Sequence, residues 1–125
     1  MTSRYTLSPK QKARRLAETI HEVWIDPASK GVFQRLAAAQ GLSMRAALIQ
    51  LLEQHAQIRE PFSPRRPKPW TAVPADERVR YTAALPSVDV APDVAMALLI
   101  DANRAGIRLT EATRQLVWRC IRSST

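Results

Sequence analysis

Few side chains in this sequence combine the types and spacing that a reacting centre needs. His21 and His55 fall on separate segments, and neither has a Cys, His or carboxylate at metal-ligand spacing. His55 continues a Leu-rich face and reads as a residue at the edge of the core. Cys120, the single cysteine, falls on an apolar helix face, where a thiol packs as a small hydrophobe. It excludes an internal disulfide and points to a reducing compartment. Three glycines in the whole chain leave no phosphate-cradling loop, and no pair of carboxylates stands apart from ordinary surface charge. The expectation is that the chain is not an enzyme and uses no cofactor and no metal.

The remaining chemistry is cationic. The chain has 19 Lys plus Arg against 11 Asp plus Glu, a net charge of +8, and only Lys10, Lys12, Lys30 and Lys68 are lysine. Arginine's planar fork grips phosphate bidentately, whereas lysine is a point charge. An Arg-biased excess therefore favours a polyanion, nucleic acid before a membrane surface. No apolar run approaches the roughly 18 residues that span a bilayer, and residues 1–12 are polar with no signal-peptide core. A cytoplasmic protein without a membrane partner is expected.

The elements that must carry these cations divide at residues 59–77, REPFSPRRPKPWTAVPADE. This stretch holds Pro61, Pro64, Pro67, Pro69 and Pro74 and no glycine, the composition of a stiff, extended connector. Its Arg65, Arg66 and Lys68 stand beside Trp70, either as solvated charge or as a basic strap along a phosphate backbone. Residues 1–58 and 78–125 form the two halves, expected to share one core, because neither is long enough to bury its own. In the first half, Ser8 with Pro9 and Gln11 marks a helix start. Ala13, Leu16, Ala17, Ile20 and Trp24 then share a helical face, with residues 22–24 reading as the helix end. Lys10, Lys12, Arg14 and Arg15 crowd its first turns, where the helix dipole disfavours cations and an anionic partner would relieve them. A second helix over 28–40 has Val32, Phe33, Leu36 and Ala37 as its stripe and stops at Gly41. Ser43 caps a third, which buries Ala47, Leu48, Leu51 and Leu52.

After the connector, residues 78–84 (RVRYTAA) and 87–91 (SVDVA) have strand character. A helix over 92–105 with Val94, Leu98 and Ala102 in register ends at Gly106. The last helix starts near Thr110 and is expected to bury Leu109, Ala112, Leu116 and Cys120. The halves echo each other at a gapless offset of 65 residues. Val23, Pro27, Ala37, Gly41, Ala47, Gln50 and Leu51 fall on Val88, Pro92, Ala102, Gly106, Ala112, Gln115 and Leu116. Each half reads as a β-prone segment, Pro, a helix ending in Ala-x-x-x-Gly, and a second helix.

Two DNA-binding motifs share that Gly turn. A helix-turn-helix wants an apolar residue about nine positions beyond the glycine, where this chain has Gln50 and Gln115. A ribbon-helix-helix instead needs a short strand, a helix, a Gly turn and a second amphipathic helix. The segment LLIDANRAGIRLTEA (residues 98–112) resembles the corresponding region of the TraY-type conjugation accessory proteins, which carry two ribbon-helix-helix units in one chain. Overdrive-binding accessory proteins of T-DNA transfer have a similar arrangement. The resemblance covers about 25 residues well and the first half weakly. It implies a mainly α fold, a tandem ribbon-helix-helix pseudo-dimer with a short two-stranded antiparallel ribbon. An all-α helix-turn-helix-like bundle is the alternative.

The same resemblance implies sequence-specific binding of double-stranded DNA, with a plasmid-type role beside a relaxase or other transfer protein, or local transcriptional repression. Helix-turn-helix or RNA binding, and an adaptor for an acidic partner, remain the other readings; self-association is left open. Two ribbon registers are open as well. The offset-matched one turns Glu22, Trp24 and Asp26, and Ser87, Asp89 and Ala91, toward the DNA. The other makes 78–84 the strand, with Arg78, Arg80 and Thr82 outward, paired with residues 3–7, where Arg4 and Thr6 repeat the pattern. Arg45 and Arg108, at the starts of the two second helices, complete the candidate DNA contacts, with the backbone amides there as phosphate ligands.

Overall fold

The computed structural model describes residues 18–64 and 80–124. Strands β1 (Glu18–Ile20) and β2 (Val23–Ile25) lead into helices α1 (Pro27–Ala39) and α2 (Met44–Ile58). Strands β3 (Ala83–Leu85) and β4 (Val88–Val90) lead into α3 (Pro92–Ala105) and α4 (Leu109–Ser123). Every element of the second half starts 65 residues after its counterpart, the offset read from the sequence. The protein is mainly helical with a small antiparallel sheet, so the all-α alternative does not hold.

The strands pair only between halves. Antiparallel register joins Glu18 to Val90, Thr19 to Asp89 and Ile20 to Val88. The same register continues as Val23 to Leu85, Trp24 to Ala84 and Ile25 to Ala83. The ladder is interrupted between these two stretches, where Pro86 has no N–H to donate. Ile20, Val23 and Ile25 meet Leu85, Val88 and Val90 on the buried side. Helices from each half cover the other half's strands: α1 packs on β3, α2 on β4, α3 on β1 and α4 on β2. The second helices also pack on each other, and one hydrophobic cluster takes residues from all the elements.

Three expectations are corrected here, and the open choice of ribbon register is resolved. Residues 22–24 are not a helix end but lead into and form β2. Pro27 disfavours helical backbone at Asp26, and the β-branched Ile20, Val23 and Ile25 gain more from a pleated, half-buried surface than from a helix. Residues 78–84 are not one strand: pairing begins at Ala83, which leaves Arg80 and Thr82 before it. The offset-matched register is the one formed. In α4 the buried set is Ala112, Thr113, Leu116 and Val117, while Leu109 is exposed and Cys120 half-buried. The core lies about one residue further round the helix than the Leu109–Cys120 stripe; Thr113 enters it because its hydroxyl donates to the Leu109 carbonyl at 2.9 Å.

Matching caps close both first helices. Leu42 N–H donates to the Ala37 carbonyl at 2.9 Å and Ile107 N–H to that of Ala102 at 3.0 Å, with Gly41 at φ +73° and Gly106 at φ +71°. A Cβ built at either glycine meets nothing within 4 Å. The cost of alanine there is conformational only, so Gly41→Ala and Gly106→Ala should each lower stability by about 1 kcal/mol. Chemical-denaturation curves of the two variants check this, and a neutral result at either position would misplace that helix end.

Candidate nucleic-acid interface

The ribbon's outer face is narrow and not two-fold symmetric. One strand exposes Thr19, His21, Glu22 and Trp24, the last 49% exposed; the other exposes Ser87 and Asp89 beside a half-buried Ala84. Directly across the ladder, Thr19 Oγ1 donates to Asp89 Oδ1 at 2.7 Å. Asp26 does not join this face. It is the N-cap of α1, accepting from Ser29 N–H at 2.9 Å and from Trp118 Nε1 at 3.3 Å. Burial pushes its carboxyl up, but the donors from Ser29 and Trp118 outweigh that and hold it below the ordinary range.

Both edges of the ribbon are held by arginines of the second helices. Arg45 Nε donates to the Ser87 carbonyl at 3.2 Å and Arg114 Nε to that of Trp24 at 2.6 Å. Arg114 also lies 4.2 Å from the Tyr81 ring centroid and 3.2 Å from Glu111 Oε1. The starts of α2 and α4 therefore flank the outer face. Ser43 caps α2 by accepting from Ala46 N–H at 3.0 Å. Arg108, the N-cap of α4, makes no side-chain cap bond, so the first-turn amides there have no side-chain acceptor at the cap.

Among the sequence candidates, Arg45 and Arg108 are thus brought to the ribbon's flanks. Arg80 and Thr82 are exposed just before β3 rather than on it. Arg4, Thr6, Lys10, Lys12, Arg14, Arg15, Arg65, Arg66, Lys68 and Arg78 lie outside the described residues. Those ten positions include nine of the 19 cations, whereas the same segments contain only Asp76 and Glu77 as acids. The described residues are accordingly close to neutral, and almost all of the net +8 belongs to 1–17 and 65–79.

A buried ionic cluster escaped the sequence reading. His55 Nε2 and Asp101 Oδ2 are 2.8 Å apart, and Arg59 grips the same carboxylate with Nε at 2.6 Å and a terminal nitrogen at 2.8 Å. His55 and Asp101 are both buried, so the expectation of a core-edge histidine is replaced by a paired core residue. Arg59 reaches Asp101 from a left-handed backbone at φ 57°, unusual for a residue with a side chain. Phe62 stacks on His55 at 4.7 Å, under Arg119 at 5.0 Å. Gln115 both accepts from Ser63 N–H at 2.9 Å and donates to its carbonyl at 3.0 Å. The start of the Pro-rich stretch is therefore part of the packed structure. The signal in the sequence was Asp101 itself, an acid three residues beyond Leu98 on an apolar stripe.

Comparison of the chain with family models, curated proteins and solved structures finds no match.

The Arg59 guanidinium, with His55, holds the Asp101 carboxyl at about 2, against an ordinary 3.8. Its stabilisation is complete above about pH 4 and is lost as pH falls toward 2. Burial is the main reason that His55 lies below its ordinary 6.5. The unfolded chain then takes that proton first, so stability also falls once pH drops below 6.5. Melting temperatures should decline from neutral pH downward and more steeply below pH 4; equal values at pH 3 and pH 7 would refute the account. The positions matching Asp101 and His55 at the 65-residue offset are Leu36 and Cys120. Asp101→Leu alone strands His55 and Arg59 and should cost about 2–3 kcal/mol. Adding His55→Cys should recover part of that loss. Denaturant titrations of the single and double variants read the difference.

Proposed function

We propose that the chain binds double-stranded DNA in a sequence-specific manner, as a single-chain tandem ribbon-helix-helix protein. The observation that carries this reading is the ribbon: one strand from each half, paired antiparallel, with an exposed outer face flanked by the starts of α2 and α4. A two-stranded ribbon fits the major groove. Amides at a helix start, with Arg45 on one side and Arg108 on the other, suit the phosphates bordering that groove. The resemblance of residues 98–112 to the TraY-type proteins favours a role as an accessory to plasmid-type DNA transfer, with local repression as the other use of the same contact.

The bases would be met by the side chains of this particular ribbon. Thr19, His21 and Ser87 can pair with base edges, and Asp89 or Glu22 can accept from the cytosine amino group. Positions related by the 65-residue offset carry different residues, Trp24 against Asp89 and Glu22 against Ser87. The target is therefore a non-palindromic sequence. Attraction that ignores sequence would come from the cations of 1–17 and 65–79.

The test is fluorescence anisotropy with selected and random duplexes across a salt series. Log affinity should fall linearly with log salt, by about 0.9 for each phosphate neutralised. Arg108→Ala should weaken all duplexes alike and reduce the slope by about 1, whereas Asp89→Asn should change base preference and leave the slope unaltered. A flat salt response, or parental binding by both variants, would overturn the proposal. Preference for structured RNA over duplex DNA would do the same.

A further inference from the structure

The outer face of α3 carries an apolar stripe that nothing in the described chain covers. Met96 is 53% exposed, Leu99 39% and Ile100 37%. Spacings of three and four residues place them side by side, opposite the buried Val94, Ala97, Leu98, Asp101 and Ala102. On α1, which packs against the ribbon from the other half in the matching way, the positions of this stripe are Gly31, Gln34 and Arg35. The stripe is thus a property of α3 and not of the shared architecture.

Charge at its two ends indicates what covers it. Asp93 stands exposed in the first turn and Arg104 exposed in the last, both on the side of Met96 and Ile100. Arg104 keeps a nitrogen 3.8 Å from Asp101 Oδ1, but its side chain is 77% exposed. The midpoint between Asp93 and Arg104 lies within one residue of the middle of the Met96–Ile100 stripe. Two copies of α3 laid antiparallel about that midpoint would oppose each Asp93 to the other's Arg104, and each Met96 to the other's Ile100, with Leu99 at the centre. Such a surface is complementary to itself, as an isologous contact requires. On α1 the positions matching Asp93 and Arg104 are Ala28 and Ala39, so the second face of the molecule offers no such contact.

We propose that the chain self-associates through α3 into a closed pair of copies. Because only one of the two first helices carries the face, assembly stops at two copies and does not extend into an array. The contact is short, which places it among weak, concentration-dependent interfaces. On DNA it would set two ribbons at a fixed separation, but its existence does not rest on the DNA-binding reading, and the experiment contains no nucleic acid.

Sedimentation velocity of the full chain over a wide concentration range should show reversible exchange between a 14.0 kDa monomer and a species of twice that mass. Met96→Lys should abolish the larger species while leaving the circular dichroism melt unchanged. Asp93→Arg and Arg104→Asp should each weaken association about tenfold, because like charges then meet twice across the axis. The double variant restores opposite charges at both ends and should return association to near the parental value. A parent that remains monomeric at several hundred micromolar, a still larger open series of species, or a double variant no better than the singles would each overturn the proposal.

Discussion

A lone β-strand presents a row of backbone donors and acceptors that need partners, and among the described residues neither half pairs its strands with each other. The ladder forms only when 18–25 meets 83–90. The rest of the fold depends on that pairing. It turns Ile20, Val23, Ile25, Leu85, Val88 and Val90 to one side, where they form the layer on which all four helices pack. Because each helix covers a strand from the opposite half, neither half has a completed core without the other. The covalent connection changes the cost of this arrangement. Two separate chains would have to meet, whereas here the second half is always present at a high effective concentration.

A single chain also permits what two identical copies could not have, a different residue at each of two equivalent places. The His55–Asp101–Arg59 cluster joins the end of α2 to α3, while Leu36 and Cys120 occupy the matching positions. Trp118 reaches from α4 to the cap of α1, bonding Ser29 Oγ at 3.2 Å, while Glu53 is its counterpart on α2. One side of the molecule is therefore braced by a buried ion pair and the other by an indole. An ion pair of this kind costs desolvation, and much of its value lies in direction: Asp101 is satisfied only when the end of α2 lies across α3 in one alignment. Apolar packing alone would accept small slips along the helix.

Punctuation was the most legible part of the fold. Pro27 and Pro92 at helix starts, Gly41 and Gly106 at helix ends and Ser43 as a cap are local signals, and each acts within four residues of its own position. The 65-residue offset carried further, since it matched a β-prone segment and two helices in each half, although it did not reveal that each half has two short strands. The strands were misread for a physical reason. Leu16, Ile20 and Trp24 fit a four-residue helical repeat as well as Val23 and Ile25 fit a two-residue strand repeat, and only the antiparallel partner at 83–90, in the other half, decides between them. Arg78 and Arg80 alternate with apolar neighbours just as strand residues do, yet pairing begins at Ala83, because the register is fixed by the buried residues further along. Of the candidate contacts, Arg45 and Arg108 stand at the starts of the second helices. Those assigned from charge alone lie mostly outside the described residues.

That separation of charge from shape bears on how the proposed DNA contact would divide its energy. The described part is close to neutral, and its ribbon carries hydroxyls, an imidazole, an indole and two carboxylates but no arginine on the exposed face. Such a surface gains little from phosphate and loses affinity when a carboxylate meets a base-edge acceptor. Discrimination would then come partly from rejection: Glu22 and Asp89 are compatible with the cytosine amino group and are repelled by guanine's acceptors. Attraction strong enough to offset that cost must come from elsewhere, and the nine cations of 1–17 and 65–79 are where the sequence puts it. Residues 1–17 enter the ribbon directly at Glu18 and residues 65–79 lead to it within four residues of Ala83. Both basic segments thus run directly into the strands, and residues 65–79 are held at their other end by the packed stretch 59–64 that follows α2.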